Sequence, residues 1–284
     1  MRAVILAAGM GSRLGEQTCG PKALLRVAGQ TLLERHLQLL ERVGVGPVAI
    51  VAGFEQPKLD RELDRLDTLS HVLARPTLLH NARYTRGSIV SLWCARQWLL
   101  DADDGVLVMD GDVLYPQEML DALARRCDPR KIGVLMDRNV RAEDHEAVKI
   151  CLANGHLVDM TKRPSSPERF DCVGESVGLF RLPPPAARAV TAEIGLRVMH
   201  DALDEPFEWA LRDVLRRTSV PIEIHDVTGM PWIEIDFPDD LRRARDVIMP
   251  RIADGPPFRA PARPKVARAA DVIATGATLD RIAR

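Results

Sequence analysis

Neither sign of charge dominates this sequence: 39 lysines and arginines meet 40 aspartates and glutamates, a formal net charge of -1. That balance removes any global electrostatic case for a nucleic-acid or membrane-surface protein. Charge that handles phosphate must therefore be local. Cysteine is sparse. Cys19, Cys94, Cys127, Cys151 and Cys172 are scattered, odd in number and form no C-x-x-C pair. Neither a disulfide framework nor a zinc site is expected, and a reducing, cytoplasmic setting fits best. Long apolar runs are missing too. The run over 3–8 is far too short for a signal-peptide core or a membrane span. The histidines at 36, 71, 80, 145, 156, 200 and 225 form no ligand-like cluster. No internal repeat is visible.

What is present suits one large α/β domain or a domain with a small appendage: 284 residues, 46% hydrophobic and 28% charged. The run 3–8 stops at Gly9 and reads as a buried strand entering a glycine-rich loop. Leucines at helical spacing over 31–42 predict a helix, closed by Gly44. A second apolar run at 47–52, a helix over 57–66, a short strand at Val72 and Leu73, a helix over 88–100 and a strand at 106–109 follow. This alternation argues for a doubly wound, Rossmann-like sheet. After residue 130 the pattern changes to strands at 132–136, 147–152, 157–161 and 176–181, then helices over 185–203 and 208–217. Strands at 222–227 and 232–236 and a helix over 238–247 complete the domain, taken as residues 1–248. Residues 249–284 read as a Pro/Arg/Ala-rich linker, ending in one more helix or in disorder.

The first strand runs into Leu6-Ala7-Ala8-Gly9-Met10-Gly11-Ser12-Arg13-Leu14-Gly15, and Gly20-Pro21-Lys22 follows. Small residues let backbone approach a nucleotide, and successive N–H groups in a tight loop form an anion-binding concavity. Arg13 offers a planar fork suited to phosphate and Lys22 a compact positive charge. The run is not a P-loop, because Gly15 is followed by Glu16 and Gln17. Nor does it satisfy G-x-G-x-x-G, because Leu14 takes the place of the third glycine. A plain strand-to-helix turn with solvated Arg13 and Lys22 is the simpler alternative.

Two carboxylate pairs stand out. Asp110-Gly111-Asp112 ends the strand expected at 106–109, and open α/β sheets bind ligands at the carboxyl ends of their strands. In Trp232-Ile233-Glu234-Ile235-Asp236, the spacing puts Glu234 and Asp236 on one face of a strand. Mg²⁺ takes hard oxygen ligands, usually one or two carboxylates with phosphate oxygens and water. Asp112 and Asp236, with Glu234 beside them, supply such a set. Asp110 has a plainer reading as a turn or capping carboxylate.

The segment 3–33 resembles the signature of the nucleotidyltransferases of the sugar-phosphate and phosphocholine type, and the likeness in element order extends to about residue 248. The resemblance implies a glycosyltransferase-A-like fold with a mixed sheet and a small inserted acceptor-binding subdomain. It implies that Leu6, Ala7, Ala8, Gly9 and Gly11 hold the nucleotide, with Asp110 on the same side. Arg13 and Lys22 would act on the triphosphate, and Asp112, Glu234 and Asp236 would hold Mg²⁺. Asn81, Tyr84 and Ser88 sit in a stretch similar to the asparagine–tyrosine–serine segment of the cytidylyltransferases for phosphocholine, aminoethylphosphonate and inositol phosphate. There it lies beside the base; here Tyr84 packing and Ser88 capping a helix are an equal alternative. The resemblance implies that Lys149, Lys162, Glu175 and Glu208 line the acceptor pocket, although for Lys149 and Lys162 an exposed strand charge would read the same way. A choline-type cage would need aromatics, which are only 4% of the chain; Phe207 and Trp209 beside Glu208 fit a core equally well.

The implied reaction is transfer of CMP from CTP to a small phospho- or phosphono-acceptor, with pyrophosphate released. CTP is favoured by the asparagine–tyrosine–serine segment and the Glu-Ile-Asp ending. The alternative is a sugar-1-phosphate nucleotidyltransferase using UTP, GTP or dTTP. A nucleotide sensor without turnover is the rival from another class, and the intact set Arg13, Lys22, Asp112 and Asp236 stands against it. Neither nucleic acid nor membrane is an expected partner, and a homodimer is the one assembly considered.

Overall fold

A computed structural model describes residues 1–17, 20–69, 75–140, 146–164 and 169–254. The apolar opening forms β1 (Arg2–Leu6), followed by the glycine loop and a tight helical turn at Ser12–Gln17. The ribbon β2 (Arg26–Val27) and β3 (Gln30–Thr31) leads into α1 (Leu32–Arg42). The Thr31 hydroxyl accepts from the Glu34 amide at 3.0 Å and caps that helix. Next come β4 (Val48–Ala52), α2 (Gln56–Leu69) and β5 (Thr77–His80). They are followed by α3 (Ser88–Cys94), α4 (Arg96–Leu100), β6 (Val106–Asp110), β7 (Val113–Leu114) and α5 (Gln117–Asp121). The later half holds β8 (Ile132–Asp137), β9 (Lys149–Ala153), β10 (His156–Thr161) and β11 (Cys172–Leu182). Then come α6 (Pro184–Met199), α7 (Phe207–Leu215), β12 (Ile222–Asp226), β13 (Ile233–Glu234), α8 (Pro238–Arg243) and α9 (Met249–Asp254).

Nine strands form one sheet along β10-β9-β11-β6-β1-β4-β5, with β8 paired to β11 and β12 to β8. The strands β6, β1, β4 and β5 run parallel, while β11 is antiparallel to β6, β8 and β9. The sheet is thus mixed, as expected, with a parallel half formed by β6, β1, β4 and β5. Successive side chains of its strands enter opposite layers. Val4, Ala49, Val51, Val106 and Val108 pack under α3, α6 and α7. Ala3, Ile5, Val48, Ile50, Leu107 and Met109 pack under α1, α2 and α5. A third cluster joins Leu14 of the glycine loop to Leu114, Ile233, Ile235 and Leu241, which fixes that loop against β7, β13 and α8.

Several boundaries differ from expectation. The helix expected over 88–100 breaks at Ala95 into α3 and α4. The strand expected at Val72 and Leu73 lies outside the described residues; the parallel strand that follows α2 is β5, a half-exposed edge with little apolar signal. The strand expected at 176–181 begins at Cys172, and that at 232–236 shrinks to β13. The last helix passes through a wider turn at Ala244–Ile248 and continues to Asp254, beyond the linker start expected near Pro250. The widened turn lies just where Pro250 cannot donate to the helical ladder. No helix among the described residues is long and apolar enough to cross a membrane.

Candidate active site

Register places Leu6 beside Asp110, so the glycine loop and the Asp-Gly-Asp turn leave the sheet together at its carboxyl end. The Gly111 amide donates to the Leu6 carbonyl at 3.0 Å. A Cβ at 111 would stand 2.8 Å from that oxygen and 3.3 Å from the Ala7 Cβ, so only glycine allows this approach. On the other side the Ala7 amide donates to Val51 O at 2.9 Å, and Phe54 N to Ala8 O at 3.2 Å. The small residues are needed because the loop is hydrogen-bonded to both neighbouring strands.

The second carboxylate pair arrives through β13. It pairs antiparallel with β7, Glu234 opposite Val113, and Ile235 N donates to Asp112 O at 3.1 Å. Glu234 belongs to β13, whereas Asp236 lies just beyond it, held where its amide meets Asp240 Oδ2 at 3.2 Å. Ligand oxygens of Asp112, Glu234 and Asp236 all come within 4.8 Å of one another. Between two of them lies Lys22, presented by the turn Lys22–Leu24; its Nζ is 2.6 Å from Asp112 Oδ2 and 2.5 Å from Asp236 Oδ1. Arg13 reaches the same carboxylate at 3.2 Å, sits 3.6 Å from Glu146 and stacks 5.0 Å from the Phe237 ring centre. Lys162 Nζ donates to Glu146 Oε2 at 2.9 Å, so one acid links Arg13 to Lys162.

These groups border a cavity of about 280 Å³. Of the residues expected from sequence, Leu6, Ala8, Gly9, Arg13, Lys22, Tyr84, Ser88, Asp110, Asp112, Lys162, Glu208, Glu234 and Asp236 line it. Ala7 lies buried beneath the loop, and Gly11 turns it at φ 64° without touching the cavity. Asn81 is buried; its amide nitrogen donates to Ser91 Oγ at 3.0 Å, and Ser91, not Asn81, faces the cavity. Lys149 and Glu175 are register neighbours on β9 and β11, 6% and 4% exposed, and do not reach it. The exposed-charge alternative for Lys149 fails with them, because β9 is buried on both faces. Ser88 does not cap its own helix: the N-cap is Gly87, and Ser88 Oγ accepts from Phe207 N at 2.9 Å. Phe207 packs edge-on against Phe180 at 5.9 Å in the core and forms no cage. The wall also holds Arg86 and Glu146, which the sequence did not single out, and Ser176 and Gly178 of the segment that follows Glu175, similar to one lining the family's acceptor pocket. Gly178 has φ +76°, and a Cβ there would collide with the Asp110 carboxylate.

Six carboxylates face four cations around this cavity. Burial raises Asp110 well above the carboxylate range, helped by Glu208, Asp112 and Glu234. Glu234 is raised likewise, first by burial and then by Asp112 and Asp236. Burial lifts Glu208 to about 7, and its Oε2 has no hydrogen-bond partner among the described residues. Lys22 behaves oppositely. Burial works against its charge, but Asp112 and Asp236 outweigh that and hold the ammonium firmly protonated. The converging hard oxygens of Asp112, Glu234 and Asp236 fit a divalent cation of the Mg²⁺ kind, whose charge would favour their ionised forms.

A mixed α/β sheet with a glycine loop, two cations and three converging carboxylates at its carboxyl end is the arrangement of an enzyme that handles nucleoside triphosphates. Residues 3–205 match the MobA-like NTP transferase domain, and the chain belongs to that family of nucleotidyltransferases. It is 29% identical over 259 residues to the bifunctional IPC transferase and DIPP synthase of Rubrobacter xylanophilus, covering 89% of this chain and 53% of that protein. It is 29% identical over 254 residues to the CMP-5'-(3-aminopropyl)phosphonate synthase of Streptomyces rubellomurinus, covering 86% of this chain and 38% of that one. The chain therefore spans about half the length, or less, of these two relatives. The inositol-1-phosphate CTP transferase of T. maritima superposes with a TM-score of 0.69 at 19% identity, over 89% of this chain and 96% of that one, and so shares the fold.

Proposed function

We propose that this chain transfers CMP from CTP to a small phosphorylated or phosphonate acceptor, using Mg²⁺ and releasing pyrophosphate. The observation that carries the reading is the meeting of Asp112, Glu234 and Asp236 with Lys22 beside the glycine loop. The activities of the relatives, an IPC transferase and a CMP-phosphonate synthase, support the cytidylyl donor and the acceptor class.

Asp112, Glu234 and Asp236 would hold the metal, which when bound neutralises charge on the triphosphate and polarises the α-phosphorus. The other contributions come from the chain's own side chains. The loop Leu6–Gly9 gives backbone a close approach to the nucleotide. Arg13, with 44% of its side chain exposed and anchored by Asp236 and Glu146, presents its fork to the phosphates. Lys22 is free to exchange its carboxylates for developing charge on the non-bridging oxygens. Lys162 and Arg86, elsewhere on the wall, supply positive charge for an anionic acceptor. Because a phosphate or phosphonate oxygen is already ionised, no strong general base is needed, and catalysis reduces to positioning and charge stabilisation. The test is pyrophosphate release with CTP, UTP, GTP and dTTP over phosphocholine, inositol phosphate, aminoalkylphosphonates and sugar 1-phosphates. Release with CTP and a non-sugar acceptor is expected. Turnover confined to UTP, GTP or dTTP with sugar 1-phosphates would replace this reading with the alternative, and no release with any pair would overturn both.

A further inference from the structure

Sequence spacing shows no ligand-like cluster of cysteine and histidine, yet the fold builds one away from the catalytic cavity. The helical segment after α5 ends at Cys127, whose amide donates to Ala122 O at 2.8 Å. Across from it runs β12, on which Glu223 and His225 are two residues apart and share a face. One ligand atom from each of Cys127, Glu223 and His225 lies within 4.8 Å of the other two. None of the three lines the cavity. We propose that Cys127, Glu223 and His225 form a metal site for a zinc-type cation, which ties the end of that helix to strand β12.

Three details of the cluster support a ligand set. First, His225 Nε2 is buried and makes no hydrogen bond among the described residues; it stands 3.6 Å from Glu223 Oε1. In a tetrahedral zinc site, with bonds of about 2.0–2.3 Å, neighbouring ligand atoms lie about 3.3–3.6 Å apart. Second, the two oxygens of Glu223 have different tasks. Oε2 lies 3.3 Å from Lys131 Nζ and 3.4 Å from the Asp128 amide, whereas Oε1 is the one turned to His225. Anchoring one carboxylate oxygen from outside while the other ligates is how outer contacts orient metal ligands. Third, Glu223 is in register with Gly133, and a Cβ at 133 would stand 2.9 Å from Cys127 Sγ. Glycine there makes the room the sulfur occupies. Among the described residues the sulfur's hydrogen-bond contact is a weak one, 3.6 Å to Asp128 O.

Nearby positive charge does not fill the position. Arg181 is 5% exposed, but its guanidinium donates to the carbonyls of Leu123 and Ala124 at 3.0 and 3.2 Å. Lys131 is on the outer oxygen of Glu223. One thiolate, one imidazole and one carboxylate select a late first-row cation over Mg²⁺, and three protein ligands leave a fourth position for water.

The experiment uses the full chain, stripped of metal by a chelator and titrated with Co²⁺ as a spectroscopic stand-in for Zn²⁺. One equivalent should give a thiolate-to-cobalt charge-transfer absorption. The catalytic carboxylates offer no sulfur, so this band cannot come from them, and it should survive Asp112→Asn and Cys94→Ser. Cys127→Ser should abolish it and weaken binding at this site by about 100-fold or more. Zn²⁺ should also raise the unfolding midpoint of the wild type and of Asp112→Asn, but not of His225→Ala. Failure of the wild-type protein to give the band overturns the proposal without any variant having to fold. So does a band that persists in Cys127→Ser, or an equal zinc shift in His225→Ala.

Discussion

Lys22 sits where a bare metal site would otherwise be, and Lys22→Met separates its two roles. The substitution keeps the stem and removes the ammonium that lies 2.6 Å from Asp112 and 2.5 Å from Asp236. The three side chains are only 13%, 20% and 14% exposed, so solvent screens the contacts less than on an open surface. A hydrogen bond to a charged group contributes roughly 1.5–3 kcal/mol. Stripping both from two facing carboxylates should cost the metal-free fold about 1–3 kcal/mol, short of the 3–5 of a fully buried pair. The same change removes a cation that competes for those oxygens. Mg²⁺ or Mn²⁺ affinity without nucleotide should therefore rise by about tenfold, the factor that corresponds to 1.4 kcal/mol. Turnover should move the other way and fall by about 10²-fold or more, because an oriented charge on the triphosphate is gone. Lys22→Gln should not restore it. Titration calorimetry without nucleotide gives the first quantity and pyrophosphate release at saturating metal the second. Turnover within about twofold of wild type, or metal affinity that drops together with turnover, would refute the reasoning.

Asp112→Asn and Asp236→Asn should each abolish turnover in a protein that still unfolds cooperatively, because each removes a metal charge; near wild-type rates in either would sink the assignment. Gly178→Ala drives a Cβ into the Asp110 carboxylate at a backbone φ of +76°, and should cost about 1–3 kcal/mol in a urea titration; an unchanged midpoint would count against the close approach. Glu208 is held at about 7 by burial, above the ordinary carboxylate value. A raised carboxyl binds its proton more tightly when folded, so stability falls as pH rises from the carboxylate range through about 7. Glu208→Gln, neutral throughout, should gain on the wild type between pH 5 and pH 8, and equal differences at both pH values would exclude this. Ending the chain after Asp254 should leave pyrophosphate release intact, since every proposed site residue precedes that point; a folded, nucleotide-binding truncate without turnover would assign a catalytic part to residues 255–284.

How far the sequence revealed this molecule depended on how continuous each signal was. β1, β4 and β6 are unbroken apolar runs because both their faces are covered, and they were legible together with the glycine loop and both carboxylate pairs. β5 was not, because an edge strand of Thr-Leu-Leu-His has neither a long run nor clean alternation. Lys149 and Glu175 were placed at the acceptor by resemblance, and nothing local reveals that their strands lie side by side in the interior, off the cavity. Asn81 stands behind Ser91 and does not line the cavity, and its residue type fits a support for Ser91 as well as a contact. Arg86 and Glu146 are single polar residues in connecting segments, and only the closing of the fold turns them toward one cavity. Cys127 and His225 are far apart in the chain and meet only because β12 pairs with β8.

The contact between Lys22 and Asp236 spans 214 positions of chain. During synthesis, the glycine loop and the first acidic turn emerge long before β13 delivers the last carboxylates. On the proposed reading, a nascent or partly unfolded chain would have the glycine loop without the carboxylates of β13 and Asp236, and so would lack the metal site that turnover needs. The same span governs how ligands stabilise the finished protein. Metal held by Asp112 on one side and by Glu234 and Asp236 on the other would be lost on any opening that parts β7 from β13. Saturation at 100 times the dissociation constant should then add about 2.7 kcal/mol to global unfolding rather than to one local segment. Amide exchange would record it as slowing spread across strands remote from the ligand.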